Sequence, residues 1–289
     1  MNRIVALITC HNRKAKTLAC LDALFQNPLH EGYLLDVFLV DDGSTDGTEQ
    51  AVRERYPQVN IIKGDGNLYW NGGMRVAFAA AMEKGFDYYL WLNDDTLLYP
   101  TAINSLIATS GELHAKHGKS VIVVGSTQDA NDGRLTYGGV IRPNKWKALY
   151  FKLVTPKDVP IECETMNGNC VLIPSAIAKE VGNLAKEFAH AMGDQDYGLR
   201  ARYAGFCVWV MAGFAGTCSR NTVAGSFNDA SLPVAVRLRK MMQPKGLPRA
   251  SWRVFTQRHA GVLWPIYWLW PYVKLVASAA NSRLISSKR

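Results

Sequence analysis

Two pairs of adjacent carboxylates stand at the ends of apolar runs: Asp41-Asp42 directly follows one, and Asp94-Asp95 follows another after Asn93. Like charges at the end of a buried strand repel each other, and burying them unpaired costs free energy. A hard divalent cation such as Mg²⁺ or Mn²⁺, bound by one or two carboxylates and by substrate phosphates, would balance the second pair. The alternative is that these residues cap the helices that follow, since Asp, Asn and Thr are common N-cap residues.

Side chains suited to binding a sugar occur in two predicted loops. Trp70 and Asn71 lie in the glycine-rich stretch KGDGNLYWNGG. Their aromatic face and amide would contact a sugar, although Trp70 fits a core position equally well. Asn167 and Asn169 precede an apolar strand, where they would line a donor-sugar or acceptor site or form a plain turn.

Apolar strands alternate with helical patterns along the first 126 residues. Short runs rich in β-branched residues predict buried strands, and helical spacing of apolar residues predicts the helices between them. The predicted strands are 3–9, 35–40, 59–62, 86–92 and 120–126. The predicted helices are 13–26, 74–84 and 100–117, and a further helix begins after the second strand, with Ser44, Thr45 or Asp46 as its N-cap. This order predicts an α/β fold with a mainly parallel twisted sheet and helices on both faces. Because ligands bind at the carboxyl ends of parallel strands, we expect both acidic pairs at the binding edge.

The pattern is less regular in the second half of the chain. Residues 130–165 predict hairpins or loops, and a helix over 175–181, a helix over 196–204 and a strand over 206–212 follow. Arg200 and Arg202 are interpreted as a solvent-exposed face of the second of these helices.

The composition is that of an ordinary globular protein, with 289 residues, 48% hydrophobic and 20% charged. The six cysteines are scattered without a CxxC pair, which predicts buried free thiols in a reducing compartment and not a zinc site. The N-terminal segment MNRIVALITC is interpreted as a first strand and not as a secretory signal.

The formal net charge of +9 is concentrated near the C-terminus. Residues 231–289 contain 11 of the 33 basic residues and no Asp or Glu, which leaves 22 basic and 24 acidic residues in 1–230. The aromatic run 260–280 contains two prolines and Lys274, so it suits a membrane interface better than a bilayer centre. We therefore expect 231–289 to associate with an anionic membrane surface. The alternative is a helix packed on the domain or on a second subunit of a homodimer.

Four motifs follow one another in a fixed order: TCHNR after the first strand, VDDGSTDGT after the second, NDD after the fourth, and HAMGDQDYGLRARYAG in the second half. Over roughly residues 3–215 this set resembles the family 2 glycosyltransferases of the GT-A fold, in particular bacterial, inverting, rhamnosyltransferase-like members. The resemblance implies a GT-A domain over 1–230, in which 1–128 bind the nucleotide sugar and 129–230 bind the acceptor. A helical, basic and aromatic extension over 231–289 would follow.

The resemblance also implies roles for single residues. The residues implied to contact the nucleotide or donor are Thr9, Asn12, Arg13, Asp41, Asp42, Asn93 and Asp94. Asp95 would bind the divalent metal, and Asn93 stands where many members have the first Asp of a DxD motif. Asp194 would be the catalytic base, with Asp196 as the fallback, because Gly193 stands where Glu is commoner.

The expected chemistry agrees with these roles. A divalent cation, Mn²⁺ or Mg²⁺, would stabilise the departing diphosphate as a Lewis acid, and Arg13 or Arg75 would add positive charge to the same oxygens. A carboxylate would accept the proton of the attacking acceptor hydroxyl, and one direct displacement inverts the anomeric carbon. His190 would contact the acceptor or the metal, or have a structural role.

The expected function is therefore inverting, metal-dependent transfer of a single sugar from a dTDP- or UDP-sugar to a glycan or lipid-linked acceptor. We expect it in bacterial surface polysaccharide synthesis, in the cytoplasm or peripherally at the inner face of the cytoplasmic membrane. The sequence lacks the QxxRW motif of processive synthases and the glycine-rich first loop of nucleotidylyltransferases. The alternative is a catalytically inactive protein that binds nucleotide sugars, or nucleic acid through its basic tail. The slightly acidic body makes nucleic acid an unexpected partner.

Overall fold

The computed structural model describes residues 1–144 and 146–286, with side chains described as far as residue 277. One large sheet and one small sheet contain the strands of this part of the chain. The strands are β1 (Asn2–Cys10), β2 (Tyr33–Asp41), β3 (Asn60–Lys63), β4 (Tyr88–Leu92), β5 (Leu97–Leu98), β6 (Val121–Gln128), β7 (Leu135–Tyr137), β8 (Gly139–Ile141), β9 (Lys152–Leu153), β10 (Ile161–Cys163), β11 (Thr165–Met166), β12 (Cys170–Pro174) and β13 (Cys207–Thr217). The helices are α1 (Lys14–Phe25), α2 (Thr48–Arg55), α3 (Tyr69–Lys84), α4 (Ala102–His117), α5 (Ser175–Val181), α6 (Gly193–Tyr203), α7 (Val234–Met241), α8 (Arg249–His259) and α9 (Trp264–Ser286).

The large sheet has the strand order β10-β13-β6-β12-β4-β1-β2-β3, with β5 paired to β13 and β7 to β6. The strands β4, β1, β2 and β3 are mutually parallel, as are β6 and β13, whereas β12 runs antiparallel between β6 and β4. The small sheet, β11-β8-β9, accounts for part of the region predicted as hairpins or loops. The predicted α/β fold with a mainly parallel sheet is confirmed.

Successive residues of β1 point to opposite faces of the sheet, and both faces are buried. Ile4, Ala6 and Ile8 pack in one apolar cluster with α1 and α4. Val5 and Leu7 pack in a second cluster with α3 and α5. A strand buried on both faces requires a continuous apolar run, which is why RIVALIT was recognisable as a strand.

Two helices begin earlier than the sequence predicts. Helix α3 begins at Tyr69 and not at residue 74, so part of the predicted glycine-rich loop is helical. A Cβ at Gly73 would overlap the Thr9 side chain, so the glycine there serves close packing of α3 on β1. Helix α6 begins at Gly193, which makes Asp194 part of its first turn.

The predicted cap of α2 lies one residue from its expected place. Gly47 occupies the N-cap position, and Asp46 accepts hydrogen bonds from the backbone and hydroxyl of Thr48. The predicted end of α3 at Gly85, which has a positive φ of 70°, is confirmed.

The C-terminal segment packs on the body of the protein. Trp252 and Phe255 of α8 and Tyr272 of α9 share an apolar cluster with Phe188 and Leu199. The alternative prediction, that a C-terminal helix packs on the domain, therefore holds for α8. Among the described residues, no helix is both long enough and apolar enough to cross a membrane.

Candidate active site

A cavity of about 620 Å³ opens at the carboxyl ends of β1, β2 and β4. The parallel register aligns these ends, since Cys10 pairs with Asp41 and Leu7 pairs with Trp91. The loops that follow the three strands therefore meet at one edge of the sheet. The predicted site residues that line the cavity are Thr9, Arg13, Asp42, Trp70, Asn93, Asp94, Asp95, Asn167, Asn169, His190 and Asp194.

Five predicted site residues lie outside this lining: Asn12, Asp41, Asn71, Arg75 and Asp196. Asn12 accepts a hydrogen bond from the Thr45 amide, so it joins two loops beside the cavity. The Arg75 guanidinium donates to the Leu184 carbonyl at 2.8 Å and ties α3 to the chain after α5. Neither residue takes the donor-binding position that we predicted.

Asn71 is fully buried and has a packing role that corrects its prediction as a sugar contact. Its amide donates to the carbonyls of Ala185 and Phe188. A Cβ at Gly193 would overlap the Asn71 amide. The buried Asn71 therefore leaves no room for a side chain at position 193, where the related motif commonly has Glu.

Arg13 pairs with both carboxylates of the NDD motif. Its guanidinium donates to Asp94 Oδ1 at 2.9 Å and to Asp95 Oδ2, and the Lys16 ammonium lies 3.7 Å from the same Asp95 oxygen. Burial raises the pKa of Asp94 to about 7 despite the nearby Arg13 charge. Asp94 Oδ2 is buried without a hydrogen-bond partner. The pair is therefore incompletely balanced, as is expected of a site that binds a further cation or a proton.

The first acidic pair holds loops through backbone amides and does not cap α2, the helix that follows it. Asp42 accepts hydrogen bonds from the backbone amides of Gly66, Leu68 and Tyr69, and so holds the loop before α3 and the start of that helix. Asp41 accepts from the Ser44 amide at 2.9 Å and is buried outside the cavity lining. Asp42 lines the cavity as predicted for a nucleotide contact, and both of its oxygens also accept from the backbone, whereas Asp41 lies outside the lining.

Trp70 and the MNGNC loop form a second wall. The Trp70 indole donates to Asn93 Oδ1 at 2.7 Å and packs edge-on against Trp91, so it is partly core and partly cavity wall. Asn169 accepts a hydrogen bond from the Asn93 amide through its carbonyl. A Cβ at Gly168 would overlap the Trp70 ring, so this glycine lets the loop lie directly on the indole.

Asp194 lies in the first turn of α6, with its carboxylate in the cavity wall. Its Oδ2 accepts from the Gly168 amide at 3.0 Å and its Oδ1 from the Gln195 amide at 2.8 Å. Burial nevertheless raises the pKa of Asp194 above that of an ordinary carboxyl. A carboxylate held by two backbone amides, with a raised pKa, is suited to accept a proton from a bound hydroxyl.

Asp196 points away from the cavity and forms a buried polar cluster. Its oxygens accept from Arg200 at 2.8 Å, Arg258 at 3.1 Å and His259 at 2.9 Å. Burial alone would raise the pKa of Asp196, but the hydrogen bonds from His259 and Arg200 outweigh it, and the pKa is lowered. Asp196 is therefore a structural residue and not the fallback base.

The interpretation of Arg200 and Arg202 as a solvent-exposed face is wrong. Arg200 pairs with Asp196, and Arg202 donates to the Cys163 carbonyl at 2.8 Å. Both arginines tie α6 to its neighbours.

His190 and Lys245 stand together at the third wall. Burial, with the positive charge of Lys245, lowers the pKa of His190 to about 4, so the imidazole is neutral at neutral pH. Its Nδ1 is buried without a partner, and its ring packs edge-on against Tyr69. Lys245 comes from the turn between α7 and α8, and sequence reasoning missed it. The only signal in the sequence was the excess of basic residues in the tail.

Further lining residues that no motif indicated are Tyr137, Cys218 and Asn221. Cys218 Sγ lies 3.5 Å from Asp95 Oδ1, behind the acidic pair. All six cysteines are free thiols and five are buried, as the sequence predicted.

The acidic pair supplies only part of the ligand set that Mg²⁺ or Mn²⁺ requires. In the described part of the chain, no three His, Cys, Asp or Glu side chains form a group that could hold a metal ion. Asp94 and Asp95 supply two carboxylates, and the unpartnered Asp94 Oδ2 is a free oxygen ligand. Mg²⁺ commonly takes one or two carboxylates and completes its shell with water and substrate phosphates. The acidic pair fits such a partial shell of oxygen ligands, although Arg13 pairs with both carboxylates in this structure.

Comparison with known protein families decides the relationship. The model of the family described as "Glycosyl transferase family 2" matches residues 5–181. The chain belongs to glycosyl transferase family 2. The family assignment made from the four motifs is thereby confirmed. The match includes the Asp42, Trp70 and Asp95 regions, whereas Asp194 and the C-terminal segment lie beyond it.

Curated relatives of this family 2 member include the N-acetylglucosaminyl-diphospho-decaprenol L-rhamnosyltransferases of two Mycobacterium tuberculosis strains. Each is 25% identical over 193 residues, which is 60% of this chain and 62% of the relative. The match thus spans less than two thirds of the relatives' own length.

Solved structures with a similar fold include S. aureus TarS 1-349, with a TM-score of 0.54 and 16% identity, covering 89% of this chain and 70% of that one. The same fragment in complex with UDP-GlcNAc has a TM-score of 0.54 and 16% identity, covering 89% and 71%. At such identities the likeness concerns the fold, and it supports the predicted GT-A architecture.

Proposed function

We propose that this family 2 member transfers a single sugar, with inversion, from a nucleoside diphosphate sugar to an acceptor hydroxyl. The observation that carries the proposal is the presence of two kinds of carboxylate in one cavity. Asp94 and Asp95 face Arg13 at one wall, and Asp194, held by two backbone amides, stands at another. The first group suits a diphosphate and its counter-charge, and the second suits removal of a proton.

In this reaction the acceptor oxygen attacks the anomeric carbon while the bond to the diphosphate breaks. The acceptor proton passes to Asp194, and the nucleoside diphosphate leaves with the bonding electrons. Arg13 places positive charge where negative charge develops on the leaving group. Trp70 offers an apolar face to the donor sugar, and Asn167 offers an amide.

Asp95, with Asp94, would hold Mg²⁺ or Mn²⁺ beside the diphosphate. Such an ion acts as a Lewis acid that stabilises the charge of the leaving group. Metal dependence, inversion and the roles of Thr9 and Asn93 beside the nucleotide are parts of this proposal.

UDP- and dTDP-sugars are the proposed donors, and a lipid-linked glycan is the proposed acceptor. The neighbour TarS was solved with UDP and UDP-GlcNAc, and the named relative acts on a diphospho-decaprenol acceptor. Both names support a role in building the cell envelope. An inactive nucleotide-sugar-binding or nucleic-acid-binding protein is less favoured, because a buried carboxylate with a raised pKa in the cavity suits chemistry.

We further propose that the protein docks peripherally on an anionic membrane through α9. Apolar side chains at helical spacing are exposed along one side: Ile266, Leu269, Trp270, Val273 and Val276. The segment 231–289 has basic residues and no acidic ones, so its charge is complementary to anionic lipid. A cytoplasmic location, the boundary near residue 230 and a homodimer stay predictions.

The test separates donor binding from transfer. UDP-, dTDP- and GDP-sugars, each with Mn²⁺, Mg²⁺ or EDTA, should raise the melting temperature for one nucleotide class and only with metal. Asp194→Asn should keep that rise and lower kcat by about 10²- to 10⁴-fold. Asp132→Asn, an exposed carboxylate outside the cavity, is the control and should retain full turnover. Full turnover of Asp194→Asn, or no response to any nucleotide, would refute the proposal.

A further inference from the structure

The C-terminal segment contributes a cation to the cavity. Lys245 lines the cavity, although it lies in the turn between α7 and α8, far along the chain from the family motifs. His190, whose pKa is affected by the Lys245 charge, also lines the cavity and lies four residues before Asp194. The Lys245 side chain is exposed at the cavity mouth, where a ligand could reach it.

The turn that carries Lys245 is held in place by backbone hydrogen bonds. Gly246 donates to the Gln243 carbonyl at 2.8 Å, and Leu247 donates to the Met241 carbonyl at 2.7 Å. The Tyr272 hydroxyl of α9 donates to the Leu247 carbonyl at 2.7 Å. Because α7 and α9 both bind this turn, the position of the lysine Cα is determined before any ligand binds.

The charges of the cavity distinguish Lys245 from Arg13. Arg13 is paired with Asp94 and Asp95, whereas Lys245 forms no ion pair with any carboxylate among the described residues. Lys245 lies close enough to His190 for its positive charge to lower the pKa of the imidazole. A second observation points to a ligand at this wall, since His190 Nδ1 is buried without a hydrogen-bond partner.

We propose that Lys245 and His190 form an anion subsite for a phosphate group of the acceptor. This inference rests on the proposed function and deepens it. The donor diphosphate is already matched by Arg13 and by the divalent cation that Asp94 and Asp95 are proposed to hold. An acceptor whose hydroxyl reaches Asp194 must lie along the wall that leads to it, and there the charged group is Lys245. The acceptor is therefore a phosphate- or diphosphate-linked sugar and not a neutral glycan.

The probe is a ten-carbon isoprenyl diphosphate, with the corresponding isoprenyl alcohol as the ligand without phosphate. Binding is measured by calorimetry with the donor site filled by UDP or dTDP, whichever stabilises the protein. The wild-type protein should bind the diphosphate and not the alcohol. Lys245→Gln should weaken diphosphate binding about tenfold or more, as expected for loss of a charge-assisted hydrogen bond, and Lys245→Arg should retain it. Lys116→Gln, the same charge change on the exposed surface of α4, should bind as the wild type does.

Two outcomes would overturn the subsite. The first is isoprenyl diphosphate binding that is absent in the wild type or unchanged in Lys245→Gln. The second is a loss of UDP or dTDP affinity in Lys245→Gln, which would place the lysine at the donor. Failure of the proposed function has a different result, because no nucleotide sugar would then stabilise even the wild-type protein. Diphosphate binding would in that case be measured without nucleotide, and the same comparison of variants applies.

Discussion

The buried cluster around Asp196 yields a quantitative prediction about what holds the C-terminal segment to the body. Asp196 has no exposed surface, and its carboxylate accepts from Arg258 and His259 of α8 as well as from Arg200 of its own helix. Replacing it by Asn keeps the volume and removes the charge. Breaking a buried ion pair on one side typically costs 3–5 kcal/mol, because the other charge is left uncompensated.

We expect the lower end of that range for Asp196→Asn. The side chains of Arg200 and Arg258 are 25% and 33% exposed, so water partly compensates their charges once the partner is lost. A loss of about 3 kcal/mol corresponds to a fall in melting temperature of about 6–12 °C for a chain of this size. The assay is urea unfolding followed by fluorescence, together with thermal scans.

The pH dependence gives the prediction a sign. Because the folded-state pKa of Asp196 is lowered, its contribution to stability is complete above the unfolded-state value of about 4. That contribution is lost as the pH falls through the folded-state pKa. The difference between wild type and Asp196→Asn should therefore be constant from pH 6 to 8 and shrink below about pH 4.

Glu49→Gln provides the matched control. Glu49 pairs with Arg53 and Lys63 on an exposed helix surface, where ion pairs contribute less than about 1 kcal/mol. An unfolding free energy of Asp196→Asn within about 0.5 kcal/mol of the wild-type value would show that this cluster does not stabilise the fold as argued. The assignment of the base would also be wrong if the folded Asp196→Asn lost turnover while Asp194→Asn kept it.

Three further predictions concern the cavity and the extension. In metal-free protein, stability should fall as the pH rises from about 4 to about 7, because the raised pKa of Asp94 makes its ionisation easier in the unfolded chain. Asp94→Asn should flatten this slope in thermal scans, and an unchanged slope would show that Asp94 does not cause it. Gly73→Ala should lower the melting temperature and weaken nucleotide binding, since its Cβ overlaps Thr9, whereas Gly111→Ala has open space and should do neither. Trp270→Ser should reduce co-sedimentation with vesicles containing phosphatidylglycerol, and equal binding would exclude the exposed side of α9 as the contact.

Local chemistry made much of the fold predictable. The helix predicted over 175–181 is α5 (Ser175–Val181), and the fully buried strands were recognisable from apolar runs such as RIVALIT. The two acidic pairs lie at strand ends, as predicted, because a parallel sheet aligns those ends. Such features depend on residues that are neighbours in the sequence or on the regular geometry of one sheet.

Features decided by contacts between distant residues were not predictable. Gly72 and Gly73 indicated a loop, yet they lie in α3, where the absence of a side chain at Gly73 lets the helix approach Thr9. Asp42 stands in a motif that implies a nucleotide contact, but in the fold its carboxylate is satisfied by backbone amides. Position in a motif placed Asp42 at the cavity, and only the three-dimensional arrangement showed what its oxygens bind.

The basic tail shows why composition alone could not assign its function. From the sequence alone, the positive charges of the tail were predicted to act together on one anionic partner. In the structure they are divided: Arg258 is paired with buried Asp196, Lys245 faces the cavity, and Lys274 is exposed on α9. Fixing α8 to α6 through Asp196 joins the segment to the helix that carries Asp194. In the proposed function, this connection couples the position of the helix proposed to dock on the membrane to the wall proposed to bind the acceptor, so that one segment serves both docking and acceptor recognition.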